Sequence, residues 1–228
     1  VHRFFIDPAD LESAGGGGSR VIFHPDQVRQ MKRVLRLRPG DSVAAVLPGR
    51  EIVVRLEGGG SGELSGGGPV MEDRPGLPLA PIAVDLYQAL AKGDRFESVL
   101  QKGTELGVAR VVPVLTDRTV ARPDPERVQG RVVRWRAVAR EAAEQCGRSD
   151  EPVIEAPADW AGVCAEAGRA DLAVVPWERE EATALVEVLR AFAGRLGGLA
   201  DGGRAAVQPA VGPVARPRVA VIIGPEGG

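Results

Sequence analysis

From residue 82 onward, short apolar runs alternate with amphipathic stretches, and that order leaves few architectures open. Ile82–Tyr87, Arg110–Leu115, Leu172–Val175 and Val219–Ile223 read as strands. The last has no polar residue, as expected of a strand covered on both faces. Between the strands, Asp94 and Glu97 have the spacing of a capping box. The helix they would start puts Phe96, Val99, Leu100 and Leu106 on one face and stops at Gly107. Asp124-Pro125 opens a long helix predicted to reach Cys146, and Glu180 to Leu196 reads as another. Gly197 to Pro217 is a Gly/Ala/Pro-rich loop before the final strand. Strand–helix alternation of this kind predicts βαβ units, an α/β class and a mostly parallel sheet.

The preceding 75 residues follow a different rule. Arg3–Ile6, Arg20–Phe23, Asp41–Leu47 and Glu51–Leu56 are short strand candidates. One helix, predicted over Asp26–Leu37 with Val28, Met31, Val34 and Leu35 on one face, interrupts them and ends at Pro39-Gly40. Gly15–Gly18 and Gly58–Gly68 read as loops, and the Pro-rich Arg74–Pro81 as a linker. The expected division is therefore a small β domain over 1–74 and an α/β domain over 75–228.

Composition narrows the function classes. No apolar run approaches the ~18 residues of a membrane span, and the first residues lack the basic-then-apolar pattern of a signal peptide. Two cysteines, Cys146 and Cys164, suggest neither a disulfide framework nor a metal site. A cytoplasmic setting without membrane or metal is the expectation. Net charge is -2, but the positive residues cluster. One group runs from Arg20 through Arg29, Lys32, Arg33 and Arg36 to Arg38, and seven arginines lie between Arg118 and Arg140. Such clusters fit either phosphate contacts or solvated helix faces. Neither a Gly-x-Gly-x-x-Gly fingerprint after the first α/β strand nor a P-loop is present, which disfavours an ordinary nucleotide enzyme.

The final strand runs into Gly224-Pro-Glu-Gly-Gly228. Ligands of open α/β sheets bind beyond the carboxyl ends of strands, where glycines let backbone approach closely. Four stretches in fixed order carry a resemblance. They are Arg33-Val-Leu-Arg36 followed by Pro39-Gly40-Asp41, Lys92 to Val108 (Lys-Gly-Asp-Arg-Phe-Glu-Ser-Val-Leu-Gln-Lys-Gly-Thr-Glu-Leu-Gly-Val), Glu141-Ala-Ala-Glu-Gln-Cys-Gly-Arg148 with Pro152, and Ile223 to Gly228. Together they resemble the ribosomal RNA small subunit methyltransferase E family, in the knotted SPOUT class.

The resemblance implies a PUA-like, RNA-holding β-barrel over 1–74 and a SPOUT methyltransferase domain over 75–228. It further implies a homodimer that moves a methyl group from S-adenosylmethionine to N3 of a uridine in 16S ribosomal RNA, with the cofactor in a trefoil knot. A non-catalytic protein that binds RNA and dimerises is the alternative. Gln30 stands where the family usually has histidine, and Gly103 where alanine is usual. Family members also continue past Gly-Pro-Glu-Gly-Gly, so the resemblance implies a C-terminally truncated chain whose knot is incomplete.

The implied cofactor residues are Gly224, Pro225, Glu226, Gly227 and Gly228, with Val175, Pro176 and Trp177 as a second wall. Trp177 either covers the cofactor or packs, and Glu226 either bonds the cofactor or organises its loop. Uracil N3 carries a proton, so transfer requires a base or a stabilised anion. Arg118 and Arg148 are candidates for holding the uracilate or a phosphate, and Glu105 for the base, each with a structural alternative. In the first domain Arg3, Lys32, Arg33 and Arg36 are the candidate phosphate contacts, with a tie into the barrel as the alternative for Arg36.

Overall fold

The computed structural model describes residues 1–14, 18–60, 62–91, 94–117, 125–197 and 216–224. Two units divide the chain: Val1–Leu79 with Arg136–Pro152, and Ala80–Trp135 with Val153–Gly228.

In the first unit, six strands are hydrogen-bonded in the order β1 (Arg3–Phe5), β4 (Ser42–Leu47), β5 (Arg50–Arg55), β6 (Gly67–Pro75), β3 (Gly18–Ile22) and β2 (Leu11–Ala14). Only β1 and β4 pair in parallel. In a flat sheet β1 and β3 would lie about 19 Å apart, yet Phe4 and Phe23, just past β3, meet edge to face at 5.9 Å. The sheet is therefore curled, as a barrel requires. Phe4, Val21, Val43, Ala45, Ile52 and Val54 fill its interior. Helix α1 (Pro25–Arg33) adds Met31 to that core, with Val28 and Leu35 at its margin. His24 caps α1 and Gln27 reaches back to the His24 N–H at 3.1 Å. The helix ends four residues short of the expected Leu37, leaving Val34 exposed.

Strand β6 occupies part of what reads as loop and linker. Its glycines are the reason. A Cβ on Gly67 would stand 2.1 Å from the Val21 carbonyl oxygen, and one on Gly68 1.8 Å from that of Arg55. Only glycine lets β6 lie between its neighbours there.

The end of α3 (Pro125–Cys146) also packs in this unit, where Ala143 meets Phe5 and Val46. Glu144 accepts the Phe5 N–H at 3.2 Å, and burial pushes its carboxyl up to about 7. Its other charged neighbours are Arg140, Glu151 and Glu141, with Arg140 already paired to Glu151 at 2.7 Å. An acid raised in this way costs stability as the unfolded form ionises, so the loss accrues between about pH 4.5 and 7 and persists above. After discounting for partial exposure, Glu144→Gln should stabilise this unit by about 1–2 kcal/mol at pH 8. Denaturant melts at both pH values test this: the gain should vanish at pH 4, and an equal gain there would show that ionisation is not its source.

The second unit holds a parallel sheet ordered β10 (Ala158–Asp159), β8 (Arg110–Leu115), β7 (Ala83–Ala89), β12 (Arg218–Ile223) and β11 (Leu172–Val174), with β9 (Val153–Ile154) also on β8. Helix α4 (Trp160–Ala167) covers one face, its Val163 and Ala167 buried with Tyr87, Val112, Val114, Ala220 and Ile222. On α2 (Arg95–Glu105), Phe96 packs on Trp135 of α3 at 4.7 Å between centroids. The expected capping box is not formed. Asp94 makes no side-chain cap, and Glu97 holds Arg134 at 2.6 Å. An alanine would fit at Gly103, whose nearest neighbour would be 3.6 Å away. Helix α5 covers Leu185–Arg195, starting later than expected. The Glu180 carboxylate takes the N–H groups of Ala182 and Thr183 at 2.8 and 3.0 Å and forms a turn instead.

Candidate functional site

Every neighbouring pair in the second sheet is parallel, so the carboxyl ends of β7, β8, β11 and β12 share one edge. From β7 the chain moves outward to β8, whereas β11 leads inward to β12. Ligands of parallel sheets bind beyond such carboxyl ends.

Register sets the contents of that edge. Val174 lies opposite Val221, so Val175-Pro176-Trp177 leaves β11 beside the strand that ends at Ile223 and continues into Gly224. Val175 and Trp177 are 59% and 55% exposed, an apolar wall without an apolar cover. The loop behind them is tied, since the Trp177 carbonyl accepts the Glu180 N–H at 3.1 Å. A Cβ on Gly224 would meet nothing within 4 Å among the described residues. Val175, Trp177 and the open side of Gly224 are thus presented at the same edge of the sheet. Pro225, Glu226, Gly227 and Gly228 lie outside the described residues.

The candidate catalytic residues are dispersed. Arg118 lies outside the described residues, three positions beyond the end of β8. Arg148 belongs to the first unit, where its guanidinium pairs with Asp150 at 2.9 Å and its carbonyl accepts from Arg3 at 3.0 Å. Glu105 ends α2 near the amino edge of the sheet, where the Ala109 N–H bonds the Val84 carbonyl at 2.9 Å. It is exposed, and its hydrogen bond from Lys102 at 2.9 Å lowers its pKa below the ordinary carboxylate value. That makes it a weaker base, at the edge opposite Gly224.

In the first unit, Arg3 is drawn inward by Glu51, which also takes Arg74. Lys32, Arg36 and Arg38 line a groove of about 320 Å³ with Gly62 and Glu63. Lys32 pairs with Glu63 at 3.0 Å, while Arg33 and Arg36 are exposed. Arg36 holds φ 54, a left-handed conformation that glycine adopts more readily. Arg38 is the groove residue the sequence reading left out, although it ends the basic run already noted. Among the described residues, no cluster of His, Cys, Asp and Glu could hold a metal, and no helix is long and apolar enough to cross a membrane.

Known proteins share this architecture. The neighbours include a Neisseria gonorrhoeae ribosomal RNA small subunit methyltransferase E bound to S-adenosyl methionine, with TM-score 0.73 and 24% identity over all of this chain and 81% of that one. Another is the Legionella pneumophila protein Lpg2936 in complex with the cofactor SAM, with TM-score 0.76 and 24% identity over the same shares. The α/β fold, a small barrel-like β unit with a SPOUT-type parallel sheet, is thus the one expected. In sequence, the ribosomal RNA small subunit methyltransferase E of Synechocystis sp. is 30% identical over 164 residues, 69% of this chain and 48% of that protein. The enzyme of that name in Bacillus subtilis is 39% identical over 74 residues, 32% of this chain and 29% of its own length. The chain spans about half the length, or less, of these curated relatives. The model of the RNA methyltransferase domain matches residues 78–228. By that match the chain belongs to the RNA methyltransferase domain family, and the relatives it resembles in sequence bear the ribosomal RNA small subunit methyltransferase E name.

Proposed function

We propose that the protein transfers a methyl group from S-adenosylmethionine to N3 of a uridine in 16S ribosomal RNA. The observation that carries this reading is the exposed Val175–Trp177 wall beside Gly224 at the carboxyl edge of the parallel sheet. The relatives bearing the methyltransferase E name support it. When bound, S-adenosylmethionine supplies an electrophilic methyl group. The chain's residues then bind and orient: Val175, Pro176 and Trp177 on one side, Gly224 and the following Pro225, Glu226, Gly227 and Gly228 on the other. Alignment of N3 with the methyl carbon is worth several orders of magnitude in rate. Arg118, which follows β8 in sequence, is assigned to the developing negative charge on the uracil. Arg148 is assigned a supporting role through Asp150 and Arg3, and Glu105 has no part in the transfer.

Residues 1–74 are assigned the RNA-holding role and 75–228 the methyl transfer. In the first, Arg36, Arg33, Lys32 and Arg38 are the phosphate contacts. Exposed Leu185, Val186 and Leu189 on α5 favour burial against a second copy, supporting a homodimer acting on ribosomal particles in the cytoplasm.

Incubating the protein, expressed from its whole reading frame, with labelled cofactor and unmodified small-subunit particles tests the reaction. Label is expected at uridine N3. RNA binding without any transfer would favour the non-catalytic alternative.

Arg36 offers a cleaner test of the RNA surface. Arg36→Gly relieves the left-handed backbone, so stability should hold or rise by up to about 1 kcal/mol. Affinity for small-subunit RNA should fall roughly three- to tenfold with a shallower salt dependence. Unchanged affinity and salt slope would remove Arg36 from the interface.

A further inference from the structure

At the opposite edge of the same sheet lies a charge cluster that the transfer does not use. Asp85, 3% exposed on β7, accepts the guanidinium of Arg218, the first residue of β12. Arg110 of β8 reaches Asp85 at 3.7 Å from the other side and is itself held by Glu155 at 3.1 Å and Glu166 at 2.7 Å. Just before β11, Asp171 grips the Arg218 backbone twice. Its carboxylate accepts the Arg218 N–H at 2.7 Å, and its own N–H donates to the Arg218 carbonyl at 3.0 Å. The start of β12 is thereby fastened to both flanking strands.

The rest of β12 is paired along its length with β7 but carries no polar side chain. Val219-Ala-Val-Ile-Ile is apolar throughout and carries no inward–outward alternation of polarity. Sliding such a strand along its neighbours exchanges one apolar residue for another, so polarity along the strand does not mark its register. Each residue of slip would move Gly224 by about 3.3 Å. An ion pair with one partner buried, as Asp85 is, can set register of this kind.

We propose that Arg218, held by Asp85 and Asp171, is a register pin that sets how far β12 projects and so positions Gly224 against the cofactor. The proposal rests on the cofactor reading of the carboxyl edge. Arg218 is a positioning residue, acting through the strand at the far end from the chemistry.

Arg218→Met is a mild test. The side chain is half exposed, and Asp85 keeps Arg110 nearby. Two readouts are taken on the protein: amide exchange along the strands, and S-adenosylmethionine affinity by calorimetry. Arg218→Met should raise exchange of Ala220–Ile223 at least tenfold while the amides of Val111 and Val112 on β8 keep their protection. Cofactor affinity should fall at least tenfold, and Arg218→Lys should recover most of both. Wild-type protection at Ala220–Ile223 in Arg218→Met would overturn the pin whether or not cofactor binds, as would wild-type affinity. A wild-type protein that ignores the cofactor, beside an Arg218→Met whose β12 loses protection, would uphold the pin and sink the cofactor reading.

Discussion

Gly224→Val is expected to abolish cofactor binding while leaving the fold intact. Among the described residues a Cβ at this position meets no atom within 4 Å, and the backbone is not in the left-handed region, so a branched side chain is accommodated without strain. The new methyls would stand at the end of β12 beside Val175–Trp177, where the proposed site has the cofactor against bare backbone. Steric exclusion there should weaken S-adenosylmethionine binding at least thirtyfold, about 2 kcal/mol. Unfolding should shift by less than about 0.5 kcal/mol, as for ordinary surface changes. Calorimetric titration and denaturant melts of the same preparation separate the two effects. Undiminished binding in a folded Gly224→Val protein would mean that the cofactor sits elsewhere.

The second large effect lies in the first unit. Glu51, 7% exposed on β5, is the shared acceptor for Arg3 of β1 and Arg74 of β6. Arg3 Nε is already buried without a partner. Glu51→Ala would leave a half-desolvated guanidinium facing a second one, and breaking a buried pair from one side typically costs 3–5 kcal/mol. Because Arg74 is half exposed and can turn to water, the expected loss is about 3 kcal/mol. All three tryptophans, Trp135, Trp160 and Trp177, belong to the second unit. Amide exchange of Val43 and Val54 is therefore the appropriate measure. A loss below about 1 kcal/mol would mean that water reaches Arg3 freely once Glu51 is gone.

Local pattern carried much of this fold. The apolar runs at 82–87, 110–115 and 219–223 became β7, β8 and β12 because each is a short strand buried between helices, and hydrophobicity alone marks such strands. Strand β6 escaped because Gly67 and Gly68 look like loop residues. Their lack of a side chain is what the packing against Val21 and Arg55 demands, and no local signal conveys that. Glu97 was expected to cap its own helix and instead pairs with Arg134, 37 residues on. The contact of Phe5 with Ala143 likewise depends on distant sequence.

The candidate site divides in the same way. Val175–Trp177 and Gly224 were legible because both follow strand ends, and strand ends in a parallel sheet converge. Glu105 was attractive from its motif, but a helix returning from β7 to the start of β8 must end at the amino edge. The Asp85–Arg218 pair spans 133 residues, and nothing in either neighbourhood announces it. Arg3 was read as a free cation for RNA, and its pairing with Glu51 is equally non-local.

The most direct test of the central claim is a titration of the protein, expressed from its whole reading frame, with S-adenosylmethionine, followed by amide exchange of the saturated complex. The account predicts saturable binding with new protection at Val175, Trp177 and Gly224, and none along β1 to β6. Absence of binding, or protection that leaves the ends of β11 and β12 unchanged, would contradict it.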